Sequence, residues 1–189
     1  MQFDHPDLYP SALTRHHALP LYGHLIGNQW SDSRAAPVPV TAPATGQRFA
    51  WLSRGGTAEI DAAVSAARAA LSGEWGRLTA TERGRLMMNF AQKVLDNTER
   101  LAWIEAHDTG KPISQGRADM RSVARYFEFY GSAADKVHGE VIPYLNGYNV
   151  TVVREPLGVT AHITPWNYPA QMFGRTVAPA LAMGNATVI

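Results

Sequence analysis

The segment best suited to chemistry is Ile163-Thr164-Pro165-Trp166-Asn167-Tyr168-Pro169. It follows Leu157-Gly158-Val159-Thr160-Ala161-His162-Ile163, a strand by composition, and precedes an apolar helical stretch from Ala170 to Met183. The carboxyl end of a parallel strand leading into a helix is where α/β proteins place ligands. The free amides of the first helical turn point at whatever binds there. Asn167 adds a neutral side-chain donor, which stabilises a developing oxyanion without having to be protonated. The turn is not glycine-rich and so is no phosphate cradle. The competing structural reading is a proline-bracketed turn with Trp166 packed beneath it.

Other reactive groups are scarce. The 189 residues contain no cysteine, which removes disulfides, thiolate-bound zinc and any thiol nucleophile from this chain. His162 reads as a strand histidine, and neither it nor His107 has a nucleophile in an evident relay. The His16-His17 pair lacks the further ligands a metal site needs. Lys plus Arg is 17 and Asp plus Glu is 16, so no field of one sign is available to hold nucleic acid. With 46% hydrophobic and 17% charged residues the balance is globular. There is no apolar run long enough to span a membrane, and the first residues, Met1-Gln2-Phe3-Asp4-His5-Pro6, lack a signal-peptide pattern. A cytoplasmic protein is expected, with neither nucleic acid nor membrane as a partner.

The elements that must position the turn follow from periodicity. Residues 1–20 read as an irregular arm carrying Pro6, Pro10 and Pro20. Leu25 to Trp30 reads as a strand with a Gly-Asn turn, Pro37 to Val40 as extended chain, Pro43 to Gly46 as a turn, and Phe49 to Leu52 as a short strand. Thr57 is the expected N-cap of a helix bearing Ile60, Val64, Ala67 and Leu71. Thr79-Ala80-Thr81-Glu82 is a capping box opening a helix whose apolar face is Leu86, Met87, Phe90, Val94 and Leu95. A third helix ends at Asp108-Thr109-Gly110. A fourth, from about Ser114 to Val137, keeps a 3,4,3,4,3 spacing through Met120, Val123, Phe127, Tyr130, Ala134 and Val137. Asn146-Gly147 between β-rich runs predicts a hairpin with a type I′ turn. Pro179 predicts a kink or early break in the Ala170–Met183 helix, after which Ala186 to Ile189 begins a strand parallel to the first.

Three blocks together resemble the NAD(P)-dependent aldehyde dehydrogenase superfamily. They are Arg154-Glu155-Pro156-Leu157-Gly158-Val159, Pro165-Trp166-Asn167-Tyr168-Pro169, and Ala178-Pro179-Ala180-Leu181-Ala182-Met183-Gly184-Asn185. Ile26-Gly27-Asn28-Gln29-Trp30, Pro43-Ala44-Thr45-Gly46 and Asp108-Thr109-Gly110-Lys111-Pro112 extend the match upstream, with Ala42 standing where the family has Asn. The fold so implied is α/β. An N-terminal helical and β-hairpin part is joined to the first strand-helix-strand of a Rossmann-like parallel sheet, apparently truncated. Its parts are an arm over 1–20, strands and helices of the cofactor-binding domain over 21–137, a hairpin of the oligomerisation arm over 138–156, and the start of the βαβ core over 157–189.

The resemblance implies roles by position. Asn167 is the oxyanion-hole amide. Ile163, Thr164, Pro165 and Trp166 line the groove for NAD or NADP. Tyr168, Met172 and Arg175 face the aldehyde tunnel, and Thr41 and Asp108 sit near a monovalent-cation site. Arg175-Thr176 stands where many members have Trp-Lys, which changes the tunnel's polarity. The family's nucleophilic Cys and general-base Glu lie in a segment not matched within these residues, so the isolated chain is expected to oxidise no aldehyde and to bind cofactor weakly. One reading is therefore the N-terminal portion of an aldehyde dehydrogenase that works when complete, as a homo-oligomer or with a complementary C-terminal portion. The alternative is a non-enzymatic homologue acting as an interaction module. The helix faces carrying Phe90, Val94, Phe127 and Tyr130 need partners, so self-association is expected.

Overall fold

The computed structural model describes residues 14–189. Most of the arm expected over residues 1–20 lies outside the described residues. Its last part is not irregular: β1 (Thr14–His16) and β2 (Leu19–Tyr22) pair antiparallel around His17 and Ala18, both at positive φ. β3 (His24–Ile26) and β4 (Gln29–Ser31) form a second hairpin, closed by Gly27 and Asn28 at φ 55° and 62°. The Gly-Asn turn read from sequence is thus flanked by strands on both sides. β5 (Val38–Thr41) and β6 (Arg48–Leu52) complete a four-stranded sheet of order β1-β2-β6-β5, in which only β2 and β6 run parallel.

The helices follow. α1 (Thr57–Ser72) is capped by Gly56 rather than Thr57, because the Glu59 carboxylate turns back to accept the Gly56 N–H at 2.7 Å. A short α2 (Glu74–Arg77) was not legible in the sequence. α3 (Ala80–Asp96) opens on the expected capping box: Thr79 Oγ1 accepts the Glu82 N–H, and the Thr79 N–H donates to Glu82 Oε2 at 2.8 Å. α4 (Thr98–Thr109) ends at Gly110 in the left-handed region. α5 (Ile113–Ala133) runs into a 3₁₀ turn over 134–136, so Val137 falls beyond the helix and is exposed.

Helices α3, α4 and α5 supply most of the core, with Met87, Ala91, Val94, Ala102, Met120, Val123 and Phe127 all buried. The aromatic faces expected to need outside partners meet one another: Phe90 and Phe127 lie with ring centroids 4.3 Å apart. Leu86 and Ile60, placed on apolar faces by spacing, are instead exposed. α3 and α5 approach backbone to backbone at Gly84, where a Cβ would come within 2.4 Å of the Gly131 carbonyl oxygen.

β7 (Glu140–Ile142) and β8 (Val150–Val152) pair antiparallel, as the hairpin reading requires. The turn is not type I′. Only Gly147 has positive φ, and the Tyr148 N–H donates to the Leu145 carbonyl, the pattern of a type II turn within a longer loop. β9 (Val159–Ala161), α6 (Pro169–Ala182) and β10 (Ala186–Val188) form a βαβ unit with β9 and β10 parallel. α6 passes through Pro179 without the expected break and ends at Ala182. Asn185, 5% exposed, closes the unit: Oδ1 accepts the Gly158 N–H and Nδ2 donates to the Ala180 carbonyl, each at 3.0 Å. The Trp75 indole N–H donates to the Asn185 carbonyl at 3.1 Å. The architecture is the α/β class expected. Among the described residues no helix is long and apolar enough to cross a membrane.

Candidate active site

The turn between β9 and α6 is open. Ile163 is fully exposed and Trp166 is 82% exposed, so Trp166 is not packed beneath the turn. Pro165 and Asn167 are exposed and Thr164 is half-buried. The N-cap of α6 is Tyr168, with Pro169 at the first helical position, where a missing N–H costs nothing. Intrahelical bonding begins at the Met172 N–H, which donates to the Tyr168 carbonyl at 2.9 Å. The Ala170 and Gln171 amides are therefore the open donors of that turn. The Asn167 amide makes no hydrogen bond to another described residue. Donors in this state are what a reacting carbonyl at a strand end requires. The exposed apolar ledge of Ile163 and Trp166 beside uncapped amides suits one side of a flat, partly apolar ring system that carries an acceptor.

Tyr168, Met172 and Arg175 fall four and then three residues apart, which puts them on one face of α6. Tyr168 is 37% exposed, Met172 is half-buried and Arg175 is exposed. Thr41 ends β5, just past a register irregularity between Val40 and Thr41. Asp108 lies in the last turn of α4. The two segments are neighbours, since a Cβ on Gly110 would come within 3.0 Å of Pro43. Asp108 is open to solvent on one side, yet burial of the rest pushes its carboxyl above the ordinary range, against a weak pull from His107. Among the described residues no three His, Cys, Asp or Glu side chains gather as a metal site. His162, read as a strand histidine, lies just past β9 and is half-buried, its Nε2 2.9 Å from Thr160 Oγ1.

Sequence reasoning missed the buried ion cluster beneath the turn. Lys111 Nζ donates to Glu105 Oε1 at 2.6 Å and to Asp119 Oδ2 at 2.7 Å. Asp119 has no exposed surface, and its Oδ1 accepts from Gln115 Nε2 at 2.8 Å and from Gln171 Nε2 at 3.3 Å. The Lys111 ammonium also lies 4.3 Å from the centre of the Tyr168 ring. Burial raises the Glu105 carboxyl, outweighing the hydrogen bond from Lys111. Burial works against the Lys111 ammonium too, but its bonds to Asp119 and Glu105 prevail and hold it above the ordinary lysine value. Glu105 Oε2 is buried with no hydrogen-bond partner among the described residues. Beside this cluster, a largely apolar cavity of about 530 Å³ separates the four-stranded sheet from the helices, lined by Phe49, Leu52, Phe90, Ile104, Met120 and Phe173 among others.

A family model described as the Aldehyde dehydrogenase family matches residues 30–189. The chain belongs to the aldehyde dehydrogenase family. It is 40% identical over 168 residues to aldehyde dehydrogenase family 2 member B4, mitochondrial, of Arabidopsis thaliana, an alignment covering 87% of this chain and 31% of that protein. It is 41% identical to human retinal dehydrogenase 2, covering 87% of this chain and 32% of the relative. Among solved structures, a putative aldehyde dehydrogenase from Burkholderia cenocepacia matches with a TM-score of 0.86 at 54% identity, over 87% of this chain and 35% of the other. A structure of PnpE in complex with nicotinamide adenine dinucleotide matches with a TM-score of 0.86 at 36% identity, over 89% of this chain and 35% of that one. This aldehyde dehydrogenase chain spans about a third of the length of the relatives it matches and corresponds to their N-terminal portion.

Proposed function

We propose that this chain supplies the oxyanion side of an NAD(P)-dependent aldehyde dehydrogenase, which oxidises an aldehyde to a carboxylic acid when complete. The observation that carries the reading is the Asn167 amide, exposed and without a hydrogen bond to another described residue, following the carboxyl end of β9 beside the open amides of α6. As a nucleophile adds to the aldehyde carbonyl, charge builds on the oxygen, and Asn167 Nδ2 donates to it. The contact strengthens from ground state to transition state, which is how a neutral donor contributes to rate. A nicotinamide nucleotide, when bound, would supply the hydride acceptor. Ile163, Thr164, Pro165 and Trp166 form one wall for it, by their exposure at the strand end. Tyr168, Met172 and Arg175 present one helix face to the approaching aldehyde, with Arg175 giving that approach a cationic group.

Two further parts of the reading rest on exposure and position. The β7–β8 hairpin shows Val141, Tyr144, Leu145 and Tyr148 to solvent, each at least 63% exposed. Such a patch marks an interface, and we assign it to subunit association. The Thr41 carbonyl and Asp108, on adjoining segments, are the monovalent-cation candidates, and a cation would offset the burial that opposes ionisation of Asp108.

The test is a chimera in which this chain is followed by the remaining portion of the Burkholderia cenocepacia relative. Purified chimera is expected to reduce NAD+ or NADP+ in the presence of an aldehyde panel, while the 189-residue chain alone is not. A folded chimera that binds nucleotide but shows no aldehyde-dependent reduction, beside an active parent relative, would overturn the reading.

A further inference from the structure

We propose that Lys111 is a positioning residue for the Asn167 turn: its ammonium, held between two buried carboxylates, seats the Tyr168 ring and so fixes the peptide that carries Asn167. The consequence for turnover rests on the oxyanion reading of Asn167, whereas the positioning itself does not.

The geometry is specific. Lys111 follows Gly110, which ends α4 in the left-handed region, and precedes Pro112, which holds it extended. Its backbone therefore has little freedom, and its side chain is directed at the junction of α4, α5 and α6. Two ammonium hydrogens go to Glu105 Oε1 and Asp119 Oδ2. The Tyr168 ring centre lies 4.3 Å from the same nitrogen. A lysine whose only task was to neutralise two acids would need no ring across it. Electrostatic attraction between an ammonium and a ring strengthens as the cation loses water, and the Lys111 side chain is only 10% exposed although Tyr168 itself reaches solvent. Gln171, three residues beyond Tyr168 on α6, donates to the other oxygen of Asp119 at 3.3 Å. Tyr168 and Gln171 thus bracket the first turn of α6, and both close on one buried ion cluster.

What this does for Asn167 follows from the peptide chain. Trp166 and Asn167 are exposed, and no hydrogen bond to another described residue fixes the Asn167 side chain. Order at Asn167 must enter through its neighbour Tyr168. Catalytic donors tolerate little displacement, since a shift of about 1 Å can cost roughly 10²-fold in rate. Exposed turns of this kind are otherwise mobile.

The test reads order rather than turnover, using backbone ¹⁵N relaxation on the full 189-residue chain. In the native chain the amides of Trp166, Asn167 and Tyr168 are expected to show order parameters of about 0.85 despite their exposure. In the variant Glu105→Gln/Lys111→Met/Asp119→Asn, which removes all three charges together and strands none, they are expected to fall below about 0.6. The amides of Met87 to Val94 should not change. Tyr168→Leu leaves the ion cluster whole and should give the same loss, so the result does not hang on the triple variant folding. Lys111→Arg keeps a cation and should retain order. Native order at the turn below about 0.6 would overturn the proposal. So would unchanged order in Tyr168→Leu, or a loss in the triple variant spread equally over α3. Because kcat is not the readout, a failure of the oxyanion assignment would leave this result standing, and the reverse.

Discussion

Asn167→Ala, made in the complete enzyme, is expected to lower kcat by roughly 10²–10³-fold, the scale for one oxyanion-hole donor. The loss should fall on kcat more than on cofactor affinity, because the contact matters most when the carbonyl oxygen carries charge. Asn167→Asp should do no better, since a carboxylate repels the charge it would have to stabilise. A capping role would show itself differently, as lost stability with kcat per folded molecule preserved. The structure already speaks against that alternative. Tyr168, not Asn167, holds the N-cap position of α6, and the Asn167 amide bonds to no described residue. Measuring kcat together with the melting curve separates the two, and an unchanged kcat in Asn167→Ala would end the assignment.

The largest expected effect on stability belongs to Lys111→Met. Removing one member of a buried ion cluster leaves the others without compensation, typically at a cost of 3–5 kcal/mol or about that order. Lys111 is 10% exposed, Glu105 4% and Asp119 not at all, by side chain, so solvent relieves little of this. The raised lysine value fixes the sign with pH. The contribution of Lys111 is complete below its unfolded value and is lost as pH climbs through its folded one. Glu105 depends on pH in the same sense. Its carboxyl is raised by burial, so folding favours its protonated form, and that advantage disappears as pH rises through the folded value. At neutral pH Glu105→Gln removes a disfavoured buried charge and leaves Lys111 paired with Asp119, so it should cost far less than Lys111→Met, and its difference from the native chain should shrink in acid. Urea unfolding of both variants across pH would show this. A Lys111→Met midpoint equal to the native one would refute the buried-cluster account.

Elements governed by local chemistry were legible in the sequence. Thr79 and Glu82 define a helix start by themselves, and the stripe from Met120 to Phe127 states its own buried face. The candidate turn was legible because strand, turn and helix are contiguous. The ion cluster was not, because its members lie six and eight residues from Lys111 and meet only once α4 and α5 fold over one another. A signal did exist. Asp119 interrupts the apolar stripe beside Met120, and an acid on a buried face requires a partner. The competing reading of Trp166 as packed beneath the turn failed in the other direction. Large apolar side chains argue for burial, but at this turn no surface within the described residues covers them. The Asn146-Gly147 turn failed on length: β7 and β8 stop several residues short of it, so the loop escapes the twist constraint that selects type I′.

The closure made by Asn185 has a kinetic meaning. Its side chain reaches Gly158 across 27 residues, and its carbonyl meets Trp75 across 110. Bringing Gly158 and Asn185 together in a flexible chain costs roughly 3 kcal/mol of loop entropy, by the logarithmic length rule. By the same rule the Trp75 contact costs roughly 4 kcal/mol, against about 2.6 kcal/mol for the 18-residue Glu99–Arg117 contact between α4 and α5. The parallel pair should therefore be the last part of the chain to assemble, zipping only after α6 has docked on α5 and carried Asn185 back to the start of β9. Pulse-labelled hydrogen exchange during refolding would register this as late protection of the Gly158 and Ala186 amides, and protection there ahead of α5 would reverse the order. Asn185 would then act as a latch thrown at the end of folding, and until it closes the facing edges of β9 and β10 stay available to other chains.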